Sequence, residues 1–132
     1  MAKYIKVLLL TKHGASFVDL EDTCEAFNEA LEWDDAWNTP TIRIEDVPYV
    51  VVCSDLGKVR HEPISCLSLA NLYDNESKTI KEPFIVDNVI VTKFDGTDDF
   101  ESLNDQDIER LRNRLLNVTG TKDMFNIILI ID

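Results

Sequence analysis

Apolar positions along the chain fall into short blocks with two different periods. Residues 4–10 form a continuous apolar run, the pattern of a buried strand. His13-Gly14 begins a turn, and residues 16–19 read as a second, short strand. Leu20, Cys24, Phe27 and Leu31 then share one helical face, so a helix is predicted over residues 22–34. Its opening, Asp22-Thr23-Cys24-Glu25, has the form of a capping box with Asp22 as the cap. Residues 33–40 form a loop carrying both tryptophans. Residues 41–45 alternate like a half-buried strand, and residues 49–53 are a β-branched strand. A turn is predicted at Asp55-Leu56-Gly57-Lys58. Residues 59–81 fit neither period and are read as irregular, with at most one helical turn.

The second half repeats these signals. Residues 84–94 read as one strand with a polar interruption at Asp87-Asn88, followed by an acidic turn at residues 95–98. Asn104 is placed as the cap of a second helix over residues 105–117, with Ile108, Leu111 and Leu115 inward. Its acids come first and its bases last, matching the helix dipole, and Thr119-Gly120 ends it. Residues 125–131 are almost wholly apolar and read as a buried strand. Five or six strands and two helices result, clustered rather than alternating. That pattern predicts an α+β fold, a mainly antiparallel sheet with two helices packed on it. The 132 residues match a single domain.

Charge changes the functional picture more than composition does. The formal net charge is −12, from 25 acids against 13 bases. Such a chain repels nucleic acid and anionic membrane and attracts basic proteins. No apolar stretch reaches membrane-spanning length and no secretory leader is visible. Three cysteines, Cys24, Cys53 and Cys66, form no close pair, which fits reduced thiols in a cytoplasmic protein.

Catalytic patterns do not emerge. His13 and His61 lack zinc-ligand spacing, and there is no glycine-rich phosphate loop or nucleophile elbow. Cys53 reads as a buried apolar thiol. The oxygen-rich segment at residues 95–99 is either an ordinary acidic turn or a weak cation site, and it lacks calcium-loop spacing. Arg110, Arg112 and Arg114 spread around their helix rather than lining one stripe. No enzyme activity and no cofactor or metal is expected.

Two base-free acidic segments stand out. Residues 19–35 carry eight acids, and residues 95–109 carry seven. Glu21, Glu25, Glu29 and Glu32 fall at helical spacing on one predicted stripe, although like charges four apart destabilise a helix. With Asp34, Asp35, Asp98, Asp99 and Glu101 they make a candidate anionic face. Trp33 and Trp37 are candidate aromatic contacts beside it. The stripe carries about one charge per 5 Å, against about 3.4 Å for a DNA strand. Mimicry of DNA would therefore need both segments side by side. The alternatives are a solvated acidic surface or a binding face for a basic protein, including a nucleic-acid-binding one. A different class is an assembly module that forms a homodimer through an exposed strand, for which residues 125–131 are the candidate edge.

Three blocks resemble a family of short phage- and plasmid-encoded proteins catalogued as domain of unknown function 3846. They are Ile5-Lys6-Val7-Leu8-Leu9 with the acidic helix after it, Tyr49–Lys58 with Pro63-Ile64, and Asp98–Glu109. Residues 33–41, Glu82-Pro83 and the tail at 118–132 depart from the family pattern. The resemblance implies a mobile-element origin and a host-directed or anti-defence role. It brings no functional residues.

Overall fold

The computed structural model describes residues 2–68, 84–96 and 99–132. Among these, eleven strands and two helices form an α+β fold. The first half contributes β1 (Tyr4–Thr11), β2 (Gly14–Glu21), α1 (Cys24–Leu31), β3 (Trp37–Asn38), β4 (Thr41–Ile44) and β5 (Val47–Ser54). The second half contributes β6 (Ile64–Ser68), β7 (Phe84–Val86), β8 (Val89–Phe94), β9 (Phe100–Glu101), α2 (Asp105–Arg112), β10 (Leu115–Asn117) and β11 (Met124–Ile131).

A seven-stranded sheet runs β2-β1-β8-β5-β3, with β4 also on β5 and β9 on β8, and all its pairs are antiparallel. A four-stranded sheet runs β10-β11-β6-β7, where β6 and β11 are parallel. The alternation of side chains in β1 explains the layering. Leu8 and Leu10 point into the main core with Val51, Val91, Leu129 and Ile131, between the two sheets. Ile5 and Val7 point the other way, onto Phe27 and Leu31 of α1. The layers are therefore α1, the seven-stranded sheet and the four-stranded sheet, with Leu111 of α2 sharing the core between the sheets. A strand covered on both faces needs apolar residues at successive positions, hence the run Val7-Leu8-Leu9-Leu10 in β1.

Several elements differ from the sequence reading. α1 starts after Thr23, whose hydroxyl accepts the Ala26 amide, and stops at Leu31 because Glu32 turns left-handed at φ 62°. Asp22 is not the cap. Glu21 lies in β2, opposite Tyr4, so the four-member glutamate stripe does not exist on the helix. Residues 84–94 are two strands in different sheets. Asp87, at φ 69°, makes the corner between them and accepts the Asn88 amide on its own carboxylate. The second helix ends at Arg112, because Leu115 and Leu116 pair with Leu129 and Ile128 of β11. β11 is paired on both sides, by β10 and β6, so residues 125–131 are not an exposed edge. Residues 64–68, read as irregular, are β6, buried at all five positions. The rest of that segment, at 69–81, lies outside the described residues. The turn at Gly57 is as predicted, and a Cβ there would meet Val86 Cγ2 at 2.9 Å.

α2 is locked by its own charges. Asn104 and Asp107 form a reciprocal capping box. Asp107, only 3% exposed, also takes Lys93 Nζ at 2.6 Å, and its other oxygen accepts the Tyr49 hydroxyl at 2.8 Å. Arg110 reaches both Tyr49 and Asp107. Burial alone would raise the Asp107 pKa. The Asn104 amide, Lys93 and Tyr49 outweigh it and hold the carboxyl below its ordinary value.

Candidate functional site

The C-terminal end of α1 opens onto a cleft of about 570 Å³. Its floor is the Asp87-Asn88 corner. Asn88 is 2% exposed and joins three elements. Its amide nitrogen donates to Leu31 O at 2.8 Å, its Oδ1 accepts the Lys12 amide at 3.0 Å, and its main-chain oxygen accepts Trp33 Nε1 at 3.1 Å. The corner thus fixes the β1–β2 turn, the end of α1 and the Trp33 ring together. A buried asparagine with every polar group paired makes a rigid junction.

Arg60 closes the opposite wall. One guanidinium nitrogen lies 2.7 Å from Asp35 Oδ2 and 3.0 Å from Asp87 Oδ2, while Nε lies 3.6 Å from Glu62. Ser54 Oγ also donates to Asp35. The Arg60 and Ser54 contacts hold the Asp35 carboxyl below its ordinary pKa, and the two aspartates raise that of Arg60. Asp35 and Asp87 therefore have their charge spent internally. Glu32 and Asp34, on the cleft rim, do not. Glu32 meets only His13 Nε2, at 3.9 Å with both side chains exposed. Asp34 has no ion pair among the described residues.

The candidate residues fall into three groups. Glu25, in the first turn, and Glu29, in the last, stand four apart on the exposed side of α1, while Glu32 and Asp34 line the cleft beyond its C-terminal end. Glu21 lies in β2, and Asp35 is neutralised. Glu101 sits in β9 next to Phe100, whose ring stacks on Phe27 of α1 at 5.5 Å. Alternation turns Glu101 to the opposite face, where it sits opposite Lys93 in the ladder. Asp99 belongs to the turn in which Asp95 N donates to its carbonyl, and Asp98 lies outside the described residues. Lys3 sits at the seam between the two acidic segments. Its ammonium donates to Phe100 O at 3.3 Å and lies 3.8 Å from Asp22, while Lys6 pairs Asp19. Among the described residues Lys3 and Lys6 stand between the two segments, which do not merge into one continuous negative face.

Trp33 and Trp37 are partly buried packing residues. Trp37 stacks on Phe27 at 5.5 Å and donates to Asn28 Oδ1 at 2.8 Å. Trp33 retains one side at the cleft. Sequence reasoning missed Arg60, Glu62 and the role of Asn88. The available signal was the Asp87-Asn88 pair interrupting an apolar run, since a polar pair there needs buried partners.

A larger cleft of about 850 Å³ opens between the sheets, with Ile42, Ile85 and Ile131 inside. Its charged rim is engaged: Asp55 accepts from Asn38, Asp132 takes Arg114, and Lys58 lies over the Phe84 ring. Burial pushes the Cys53 thiol in its wall up to about 11, away from nucleophilic use. His61 lines a separate cleft of about 260 Å³. Among the described residues no three acidic, histidine or cysteine side chains converge to hold a metal ion. No described helix is long and apolar enough to cross a membrane.

No protein-family model, curated protein or solved structure matches the chain.

Proposed function

We propose that the protein is a non-catalytic acidic binding module, and that α1 with the cleft at its C-terminal end receives a compact basic patch of a partner protein. The observation that carries this is electrostatic. The last turn of α1 holds Glu29 and is followed by Glu32, with no base, at the end of the helix where the backbone dipole is already negative. Glu25 and Glu29 repel each other at four-residue spacing. Glu32 adds a left-handed backbone that usually belongs to glycine. Each feature costs the isolated protein a few tenths to about 1 kcal/mol. Cations docked beside Glu29, Glu32 and Asp34, with Glu25 one turn further back along the helix, would relieve the electrostatic part of that cost. Trp33 offers an aromatic wall beside it for an arginine or lysine side chain.

A compact patch fits better than a long nucleic-acid groove. Glu25 and Glu29 are separated by about 6 Å along the axis, nearly twice the spacing of phosphates on a DNA strand. Lys3 and Lys6 interrupt the surface beyond them. In the host-directed setting implied by the family resemblance, the partner would be a nucleic-acid-binding or defence protein that exposes such a patch.

The test is amide chemical-shift mapping with a short arginine-rich peptide. Shifts centred on residues 25–34, with the Trp33 indole and Arg60 moving too, are expected. Shifts spread evenly over all exposed acids, including Asp105 and Glu109, would contradict the proposal.

A further inference from the structure

The end strands of the two sheets differ in length. β3, β7 and β10 have two, three and three residues, and β4, on the same edge of β5 as β3, has four. Short end strands are one way to keep a sheet from recruiting further chains. β2 has eight residues and pairs with β1 in unbroken register from Thr11↔Gly14 to Tyr4↔Glu21. It contains no proline, lysine, arginine or bulge. Among the described residues no strand lies beyond it.

The ladder fixes which main-chain groups face outward. Asp22 N donates to Lys3 O, so that pair is hydrogen-bonded, and every second pair after it is too. Ser16, Val18 and Leu20 therefore turn their amides to β1, while Ala15, Phe17, Asp19 and Glu21 present theirs to the open side. Phe17 packs toward the core between the sheets, and Val18 and Leu20 toward α1. The edge is thus regular, ordered and lined with half-buried side chains.

We propose that β2 pairs antiparallel with β2 of a second copy, about a two-fold axis through Phe17, to give one continuous sheet. A two-fold axis normal to the sheet requires opposite residues to share a face. Placing Phe17 on the axis sets Ala15 opposite Asp19 and Ser16 opposite Val18. No acid then meets an acid, although each chain carries a charge of −12. Arg112, whose guanidinium lies 5.6 Å from the Phe17 ring centre, brings a cation to the face that carries Asp19 of both copies. This surface is separate from the α1 cleft and does not depend on it.

Light scattering across a concentration series tests the pairing. The full chain is expected to pass from the mass of one copy to that of two as concentration rises. The transition should come earlier at higher salt, because screening weakens the repulsion between two acidic chains. Ala15→Pro removes an outward amide without touching the β1 ladder. It is expected to move the transition up about thirtyfold, through two lost main-chain hydrogen bonds per dimer. Asp19→Asn keeps its amide and should not weaken the pairing. Circular dichroism of Ala15→Pro checks that it is folded. If that variant unfolds, amide exchange of Phe17 and Asp19 in the wild type decides instead, with slowing at high concentration expected. A single-copy mass at all concentrations, a dimer unaffected by Ala15→Pro, or exchange independent of concentration overturns the proposal.

Discussion

The two helices have the same length and opposite electrostatic logic. α2 opens with Asp105 and Asp107 and closes with Arg110 and Arg112. Its buried aspartate meets a lysine, a tyrosine hydroxyl, an arginine and its own cap. α1 has Glu25 in its first turn, no base in its last, and a glutamate in a left-handed cap. Both helices bury apolar residues against the same sheet system, so packing does not explain the contrast. α2 spends its charges on its own stability. α1 leaves them exposed at some cost to itself, and a charge arrangement opposed to stability is retained most readily where a partner uses it.

Replacing Asp107 with alanine attacks the helix that is tuned for stability. It strands Lys93 beside a buried tyrosine and removes the Asp107 half of the capping box, so a loss of about 3 kcal/mol is expected in urea unfolding. A change below about 1 kcal/mol would mean that α2 is not held by this network. Arg60→Gln leaves the buried Asp87 without its cation. A smaller destabilisation is expected, together with loss of the Trp33 position, read as a shift of the indole proton.

Lowering the pH tests α2 differently. Asp107, Asp35 and Asp132 all have folded pKa values below the ordinary 3.8. Their contribution is complete above the unfolded value and is lost as pH falls through the folded ones. Stability should therefore drop below about pH 4, and Asp107→Asn should flatten that drop. For α1 a substitution is expected to stabilise rather than destabilise. Glu32→Gly removes both the strained conformation and a misplaced charge, and should stabilise the protein by about 1 kcal/mol. The same change should weaken binding of a cationic peptide, measured by calorimetry.

How much of this was legible in the sequence varies by element. The α+β class and the strands at β1, β5 and β11 follow from apolar runs that only burial explains. The helix at α2 follows from Asn104 and its ordered charges, apart from its end, which the pairing of Leu115 with Leu129 decides. The short strands β3, β9 and β10 are two or three residues long and leave no periodic trace. The Asp87 corner was visible only as a polar interruption, because which sheet each flank joins depends on partners distant in the chain. At the candidate site, Glu25, Glu29, Glu32 and Asp34 could be proposed from sequence. Their separation from Glu21, Asp35 and Glu101 could not, since Arg60, Lys3 and Lys93 come from other strands and loops.

One comparison of variants bears on the central claim most directly. Glu25→Gln, Glu29→Gln and Glu32→Gln together remove three charges at α1. Glu101→Gln, Asp105→Asn and Glu109→Gln together remove three near α2. Calorimetry with the same arginine-rich peptide should show about a tenfold loss of affinity for the first set and little change for the second. Equal losses in both would mean that only net charge matters, and that α1 carries no binding face.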